Sequence, residues 1–178
     1  MSRAHCVRVR WFKRMTDASH RNLRRANVKL RRATVRDLHL LVDQRRRMWF
    51  DMGERNQTKL DEQDRAFRRW VQPRLRNGKV VGWVIETKSQ DIVAGGIVWL
   101  RPTVTRPGAR HLGQPYLLNM YTEPKWRRRG LASLIVREAV KWAKRNGYTR
   151  LWLHASSKGR RLYLRHGFKR TWEMMIKL

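Results

Sequence analysis

The chain has 178 residues, of which 41% are hydrophobic and 10% aromatic, and its formal net charge is +30. This length suits one domain with a sizeable core, and the apolar content excludes an intrinsically disordered chain. No apolar run approaches the roughly 20 residues needed to cross a bilayer, so we expect no membrane span. The single cysteine, Cys6, cannot form an internal disulfide, which indicates a reducing compartment such as the cytoplasm.

The net charge of +30 is the strongest signal in the composition. It predicts attraction to polyanions, including non-specific nucleic acid binding through a basic surface. An arginine-rich proteome or the surface of a thermophile's protein would give the same excess, so the charge by itself names no partner.

Residues 1–27 are predicted to be a basic N-terminal extension, separate from a domain over residues 28–178. Residues 1–32 hold eleven Lys or Arg and one acid, and the extension shows no periodic apolar pattern. An Arg-rich, acid-poor composition is typical of an organelle transit peptide or of a nucleic-acid-binding arm. Translation from upstream of the true start would leave the same signal, so the origin stays open.

The first part of the domain is predicted to contain a strand and two helices. Residues 28–33 form the strand, and Thr34 is expected to cap a helix that runs to about residue 51, with Asp37 completing a capping box. Gly53 is expected to end that helix. A second helix is predicted over residues 61–75, where acidic side chains would favour the first turn: Asp61, Glu62 and Asp64.

A β-hairpin is the clearest strand signal in the sequence. Residues 80–87 and 92–100 are rich in β-branched and aromatic side chains and are joined by the short turn of residues 88–91. The Gly95-Gly96 pair predicts a bulge or a close backbone approach. Residues 101–115 are rich in proline and glycine and predict a loop.

The last part of the chain alternates strands and helices. Strands are predicted over residues 116–121, 150–156 and 168–177, and a short helix over residues 158–165. The longest helix is predicted from about residue 131, because apolar side chains recur there at helical spacing: Leu131, Leu134, Ile135, Ala139, Trp142 and Ala143.

The turn of residues 127–132 precedes this helix and has the spacing R-x-x-G-x-A. The first amide N–H groups of a helix have no intrahelical acceptor, and the helix dipole adds about half a positive charge there. Gly130 lets a ligand approach the backbone closely, and three arginines add formal charge. These features favour a multiply charged anion such as a pyrophosphate; solvated arginines at a helix start are the plain alternative.

Two segments together resemble the GNAT (N-acetyltransferase) superfamily. Residues 127–132 match its acetyl-CoA pyrophosphate loop, [QR]-x-x-G-x-[GA], and residues 161–168, RLYLRHGF, resemble its lYxxxGF segment. The two segments have the order and about the separation found in that family, and the resemblance covers residues 28–178. One departure is Ala132, where many members carry glycine.

The resemblance implies an α+β fold with a mixed, mostly antiparallel central sheet and about four flanking helices. The sheet is expected to splay between the strands of residues 116–121 and 150–156, and acetyl-CoA is expected in that gap, its amides paired with the backbone of residues 120–122. The residues implied to bind the cofactor are Met120, Tyr121, Thr122, Arg127, Arg128, Arg129, Gly130, Leu131, Ala132, Ser156 and Tyr163.

Three residues are candidates for catalysis. The resemblance places Tyr163 beside the sulfur, where a phenol, with an ordinary pKa of about 10, can supply a proton to a thiolate; simple core packing is the alternative. Asn119 is a candidate for orienting a water molecule, and Glu123 for a general base. Asp51 and Glu54 are further carboxylates near the expected substrate wall.

The reaction that the resemblance implies is acetyl transfer to a primary amine of a small molecule or peptide. A ribosome- or tRNA-linked amine is an alternative acceptor, and a non-catalytic basic protein that binds CoA or nucleic acid is an alternative function. A homodimer is compatible with the sequence, and the histidines lack metal-ligand spacing, so no metal is expected. Candidates for lining the acceptor pocket are Trp49, Phe50, Met52, His111 and Trp172.

Overall fold

The computed structural model describes residues 27–104 and 113–176 of the chain. These residues form five strands and four helices around one sheet, which confirms the predicted α+β class. The elements in chain order are β1 (Val28–Arg32), α1 (Leu38–Asp51), α2 (Gln57–Arg76), β2 (Val80–Thr87), β3 (Ile92–Pro102), β4 (Gly113–Thr122), α3 (Leu131–Arg145), β5 (Trp152–Leu153) and α4 (Arg160–Arg165).

The sheet has the strand order β1-β2-β3-β4-β5. The first four strands pair antiparallel, and β5 joins β4 in parallel. The predicted hairpin of β2 and β3 is therefore confirmed. So is the mixed, mostly antiparallel character of the sheet.

Helices cover both faces of this sheet. The side chains of a strand alternate between its faces, and here each face carries apolar side chains that pack against helices. On one face α1 and α2 pack on side chains that include Val84 and Ile97. On the other face α3 and α4 pack on Trp83, Ile85 and Leu117. The core thus consists of two apolar clusters separated by the sheet.

The predicted capping box at residues 34–37 is confirmed. Thr34 accepts from a backbone N–H, and Asp37 accepts from the backbone N–H of Thr34 at 2.7 Å, within a short 3-10 turn that leads into α1. Arg31 donates to Asp37 at 2.8 and 2.9 Å and also pairs with Glu86. Burial opposes the ionisation of Asp37, but the hydrogen bonds from Arg31 and Thr34 hold its pKa below the usual range.

The second helix starts earlier than predicted. It begins at Gln57, with the Asn56 side chain accepting from the Lys59 N–H, and no acidic residue lies in its first turn. The prediction that Asp61, Glu62 and Asp64 occupy that turn is wrong. Asp61 and Asp64 instead bind Arg46 of α1 at 2.7 Å each and so tie the two helices together.

A bulge interrupts the pairing of β3 with β4 at the predicted glycine pair. Gly95 pairs with Tyr121 and Ile97 with Leu118, so two residues of β4 face Gly96 alone. A Cβ at Gly95 would collide with the side-chain amide of Gln44 on α1. The glycines therefore serve both predicted purposes, a bulge and a close approach.

The end of the sheet is shorter than predicted. The strand expected over residues 150–156 is only Trp152–Leu153, and residues 168–176 form no strand, although one was predicted there. Four large apolar side chains of this final segment are exposed: Trp172, Met174, Met175 and Ile176. Among residues 27–104 and 113–176, no helix is long and apolar enough to cross a membrane.

Candidate functional site

The sheet opens between β4 and β5. The two strands pair only where Tyr116 meets Trp152 and Leu117 meets Leu153. Beyond these pairs β4 continues to Thr122, whereas β5 has ended. The second half of β4 therefore has an edge that faces a gap, as the predicted splay requires.

The arginine turn lies where β4 ends and α3 begins. Arg128 and Gly130 both adopt left-handed backbone conformations, with φ of 62° and 83°, and in a non-glycine residue such as Arg128 this conformation is concentrated at functional sites. No atom lies within 4 Å of the position of a Cβ at Gly130. The first intrahelical bond runs from the Leu134 N–H to the Gly130 carbonyl, so the preceding amides of α3 are open to an anion.

Arg127 connects three elements rather than pointing freely from the turn. Its Nε donates to the Thr122 carbonyl at the end of β4, 2.9 Å away, and its guanidinium pairs with Asp51 at the end of α1. The same guanidinium lies 5.7 Å from the Tyr121 ring centre. Arg127 thus fixes the turn against α1 and β4. It also donates to the Thr122 carbonyl, which was expected to accept a hydrogen bond from a pantetheine amide.

Arg129 and Arg128 differ from Arg127. The Arg129 guanidinium lies 5.0 Å from the Trp126 ring centre, and no ion pair holds either side chain within the part of the chain that the structure describes. Their positive charge remains available to a ligand at the turn.

Tyr163 lies on α4 in the apolar cluster beneath α3, together with Leu131 and Leu134. Its ring meets Phe168 edge-on at 5.8 Å. Burial raises the pKa of the phenol to about 12, so the hydroxyl keeps its proton throughout the neutral range. Tyr163 can therefore both pack in the core and serve as a proton donor.

Asn119 lies in the bulge of β4 with φ of 55°, and its side chain is buried. Its amide nitrogen donates to the Leu41 carbonyl of α1 at 3.1 Å, while Oδ1 has no protein partner. Gln44, also buried on α1, has neither amide atom bonded to protein. Two buried amides with free hydrogen-bonding capacity therefore lie on the α1 side of the bulge.

Glu123 follows β4 and binds Arg47 of α1 at 2.7 Å. Both residues line a cleft of about 890 Å³ between α1, the 88–91 turn and the start of the connection to α3. This cleft lies on the β3 side of β4, not in the gap beside β5. Tyr163 is not among the residues that line this cleft, although the sequence grouped Glu123 and Tyr163 in one site.

Ser156 and His154 follow β5. Ser156 accepts from the Gly159 N–H through both its hydroxyl and its carbonyl, as a cap of the turn into α4. His154 Nδ1 lies 2.7 Å from the Tyr116 hydroxyl. This pair could not be predicted from the sequence, because it depends on Tyr116 and Trp152 being neighbours in parallel strands.

Most of the remaining candidates lie at the end of α1 or directly after it. Asp51 pairs with Arg127, and Glu54 accepts from the N–H of Asn56 before α2. Phe50, Met52 and Trp172 are exposed, and His111 lies outside the described residues. Within residues 27–104 and 113–176, no three His, Cys, Asp or Glu side chains lie together as metal ligands would.

Comparison with known proteins places the chain among acetyltransferases. The model of the acetyltransferase (GNAT) family matches residues 36–168. No protein of curated function matches the chain in sequence.

Solved structures agree with the family match. A GCN5-related N-acetyltransferase from Ralstonia eutropha JMP134 is 29% identical with a TM-score of 0.76, covering 85% of this chain and 98% of that one. A predicted acetyltransferase with acetyl-CoA from Clostridium acetobutylicum is 28% identical with a TM-score of 0.76, covering 85% and 96%. A ribosomal-protein-alanine N-acetyltransferase from Brucella melitensis shares the fold at 16% identity and a TM-score of 0.62, covering 85% and 98%.

The arginine turn is expected to bind an anion, and a carboxylate placed in it should weaken that binding. We expect Gly130→Asp to weaken coenzyme A binding at least about tenfold, or 1.4 kcal/mol, because the carboxylate and Cβ enter the open space beside the free amides. Titration calorimetry of the folded variant measures this. Gly147→Asp is the matched control, because Gly147 has φ of 75° at the other end of α3 and carries the same strain; unchanged affinity in Gly130→Asp would contradict the assignment.

Proposed function

Because the chain belongs to the GNAT acetyltransferase family, we propose that it transfers an acetyl group from acetyl-CoA to a primary amine of a small molecule or peptide. The observation that carries this proposal is the open arginine turn at the start of α3, which adjoins the gap between β4 and β5. A sheet edge and an anion site at one end of it suit a ligand with both amides and a pyrophosphate.

The residues present fit this ligand. The empty space at Gly130 and the unbonded amides at the start of α3 leave room for phosphate oxygens. We assign pyrophosphate binding to Arg128, Arg129, Gly130, Leu131 and Ala132, with Arg127 holding the turn in place. Met120, Tyr121 and Thr122 offer the backbone of the open edge, and Ser156 lies across the gap. When bound, acetyl-CoA would supply an activated acetyl thioester.

Tyr163 is proposed as the proton donor to the departing sulfur. Burial keeps its phenol protonated at neutral pH, so the hydroxyl has a proton to donate to the departing thiolate. Asn119 remains a proposal for orienting a water molecule, supported by its unpartnered Oδ1. Glu123 remains a proposal as a base, although its bond to Arg47 occupies one carboxylate oxygen.

Replacing Tyr163 tests the proposed chemistry. We expect Tyr163→Phe to lower kcat about 10²-fold, because the ring still fills its place in the core while the proton donor is lost. The KM for acetyl-CoA should change little. Thiol release with a panel of amines measures both, and Tyr148→Phe is the control. Full activity in Tyr163→Phe would leave the tyrosine a core residue, and no transfer to any amine by the wild type would contradict the proposed function.

A nucleic-acid-linked amine is the second candidate acceptor, because the positive charge is segregated in the structure. Residues 124–172 contain fifteen Lys or Arg but one acid, Glu138, which binds Lys141 at 2.8 Å. Burial and the charge of Arg145 lower the pKa of Arg32, and burial with the charges of Arg137 and Arg165 lowers that of His166. Cations therefore crowd the α3–α4 side, which suits a polyphosphate backbone.

RNA titration at several salt concentrations tests this candidate. We expect log K to fall linearly with log salt, by about 0.7 for each phosphate contact on a single strand. Arg145→Gln should flatten the slope by about one contact, whereas Arg76→Gln, at the end of α2, should not. Full-length protein that binds no RNA at low salt would contradict the basic-surface proposal.

Deletion of residues 1–27 tests the proposed division of the chain into an extension and a domain. Residues 1–27 hold eight Lys or Arg, so their deletion should flatten the salt slope. Acetyl transfer by residues 28–178 should stay within about twofold of the full chain. A deleted chain that does not fold would contradict the division. The single Cys6 supports the further proposal of a cytoplasmic location.

A homodimer is proposed from the final segment. Trp172 and Met174 are 98% and 97% exposed, and contiguous apolar surface of this kind is typical of interaction sites. We expect sedimentation equilibrium to show a dimer that Trp172→Asp dissociates. Val104→Asp, at a separate exposed apolar residue, is the control. A monomer at all concentrations would contradict the proposal.

A further inference from the structure

The hydrogen bond between Tyr116 and His154 lies at the closed end of the gap. The Tyr116 hydroxyl and His154 Nδ1 are 2.7 Å apart. His154 directly follows Leu153, the last residue of β5 that pairs with β4. Beyond this point the two strands separate, so the imidazole lies where the gap begins.

The pair lies on the opposite side of the sheet from Tyr163. Leu117 and Leu153 belong to the cluster beneath α3 and α4, which also contains Tyr163. Successive side chains of a strand point to opposite faces, so Tyr116 and His154, one residue away from them, point to the α1–α2 face. Leu118 packs into the cluster on that same face, and His154 is exposed there.

This arrangement suits the two proton transfers that acetyl transfer requires. The sulfur needs a proton donor, and the attacking amine needs a proton acceptor. The proton donor and the proton acceptor must both lie near the reacting carbon, the donor beside the sulfur and the acceptor beside the amine nitrogen. We propose that His154, and not Glu123, is the catalytic residue that accepts the amine proton and that Tyr116 is the positioning residue that orients it, an inference that rests on the proposed function.

The step balances with the groups that the chain supplies. His154 Nε2 takes a proton from the neutral amine as the amine nitrogen bonds to the acetyl carbon. The carbon–sulfur bond breaks, its electron pair stays on sulfur, and the Tyr163 hydroxyl gives its proton to that sulfur. Water then returns a proton to Tyr163 and removes one from His154.

His154 can accept the amine proton at Nε2 only when its Nδ1–H donates to the Tyr116 oxygen, because this tautomer leaves the Nε2 lone pair free. Burial raises the pKa of Tyr116 above its ordinary value, so the phenol stays neutral as a partner. The charged groups that act on Tyr116 are Arg101 of β3, 5.0 Å from the Tyr116 ring centre, and Glu173, 3.9 Å from Arg101.

Substitution of the pair gives distinct kinetic results. His154→Gln should lower kcat about 10²-fold, because the proton acceptor is lost. Tyr116→Phe should lower kcat about tenfold, because the imidazole remains but loses its positioning partner. His39→Gln, at an exposed histidine of α1, is the matched control and should behave as the wild type.

A second measurement needs no acetyl transfer. Nitrogen-15 NMR of full-length protein without CoA should show His154 with its proton on Nδ1, and Tyr116→Phe should shift that proton toward Nε2. Calorimetry should show unchanged CoA affinity in His154→Gln. A wild-type His154 protonated on Nε2, or a His154→Gln variant as active as the wild type, overturns the inference alone. A wild type that binds CoA but transfers no acetyl group overturns the proposed function and this inference together.

Discussion

The parallel pairing of β4 with β5 is the constraint on which the site depends. It lasts for two residue pairs and then stops, so one strand edge is held in place and its continuation is left open. Longer pairing would close the gap, and no pairing would leave β5 without a strand neighbour in the sheet. The bulge at Asn119 lies just beyond the last pair, and bulges bend the strand that carries them. The closed end of the gap between β4 and β5 and the point where the gap opens thus lie within four residues of β4.

Much of this architecture could be read from the sequence where the signal is local. The capping box at Thr34 and the turn before α3 depend on residues within one or two helical turns, and both are present in the structure. The start of α2 was missed because Asn56 caps it without an acidic first turn, while Asp61 and Asp64 bind an arginine of another helix. The final strand was mispredicted because an alternating pattern shows that a segment can pair, not that a partner lies beside it.

The candidate site was only partly predictable, because the sequence shows local patterns but not contacts between distant residues. Gly130 and Tyr163 belong to short patterns, and the structure places them beside the open end of β4 and beneath α3. The partners of Glu123 and Arg127 lie 76 residues away in the sequence, so no local pattern could show that an ion pair already engages each of them. Tyr116 and His154 are 38 residues apart and meet only because a parallel connection carries the chain across the sheet through α3.

Arg127 has a consequence for how the two halves of the site communicate. Its guanidinium joins the end of α1, through Asp51, to the turn that opens α3, and its Nε joins both to the end of β4. An anion that draws this arginine toward itself must weaken its ion pair with Asp51 at the end of α1. The end of α1 and the turn that opens α3 therefore share a coupling free energy, which by thermodynamic linkage acts equally in both directions.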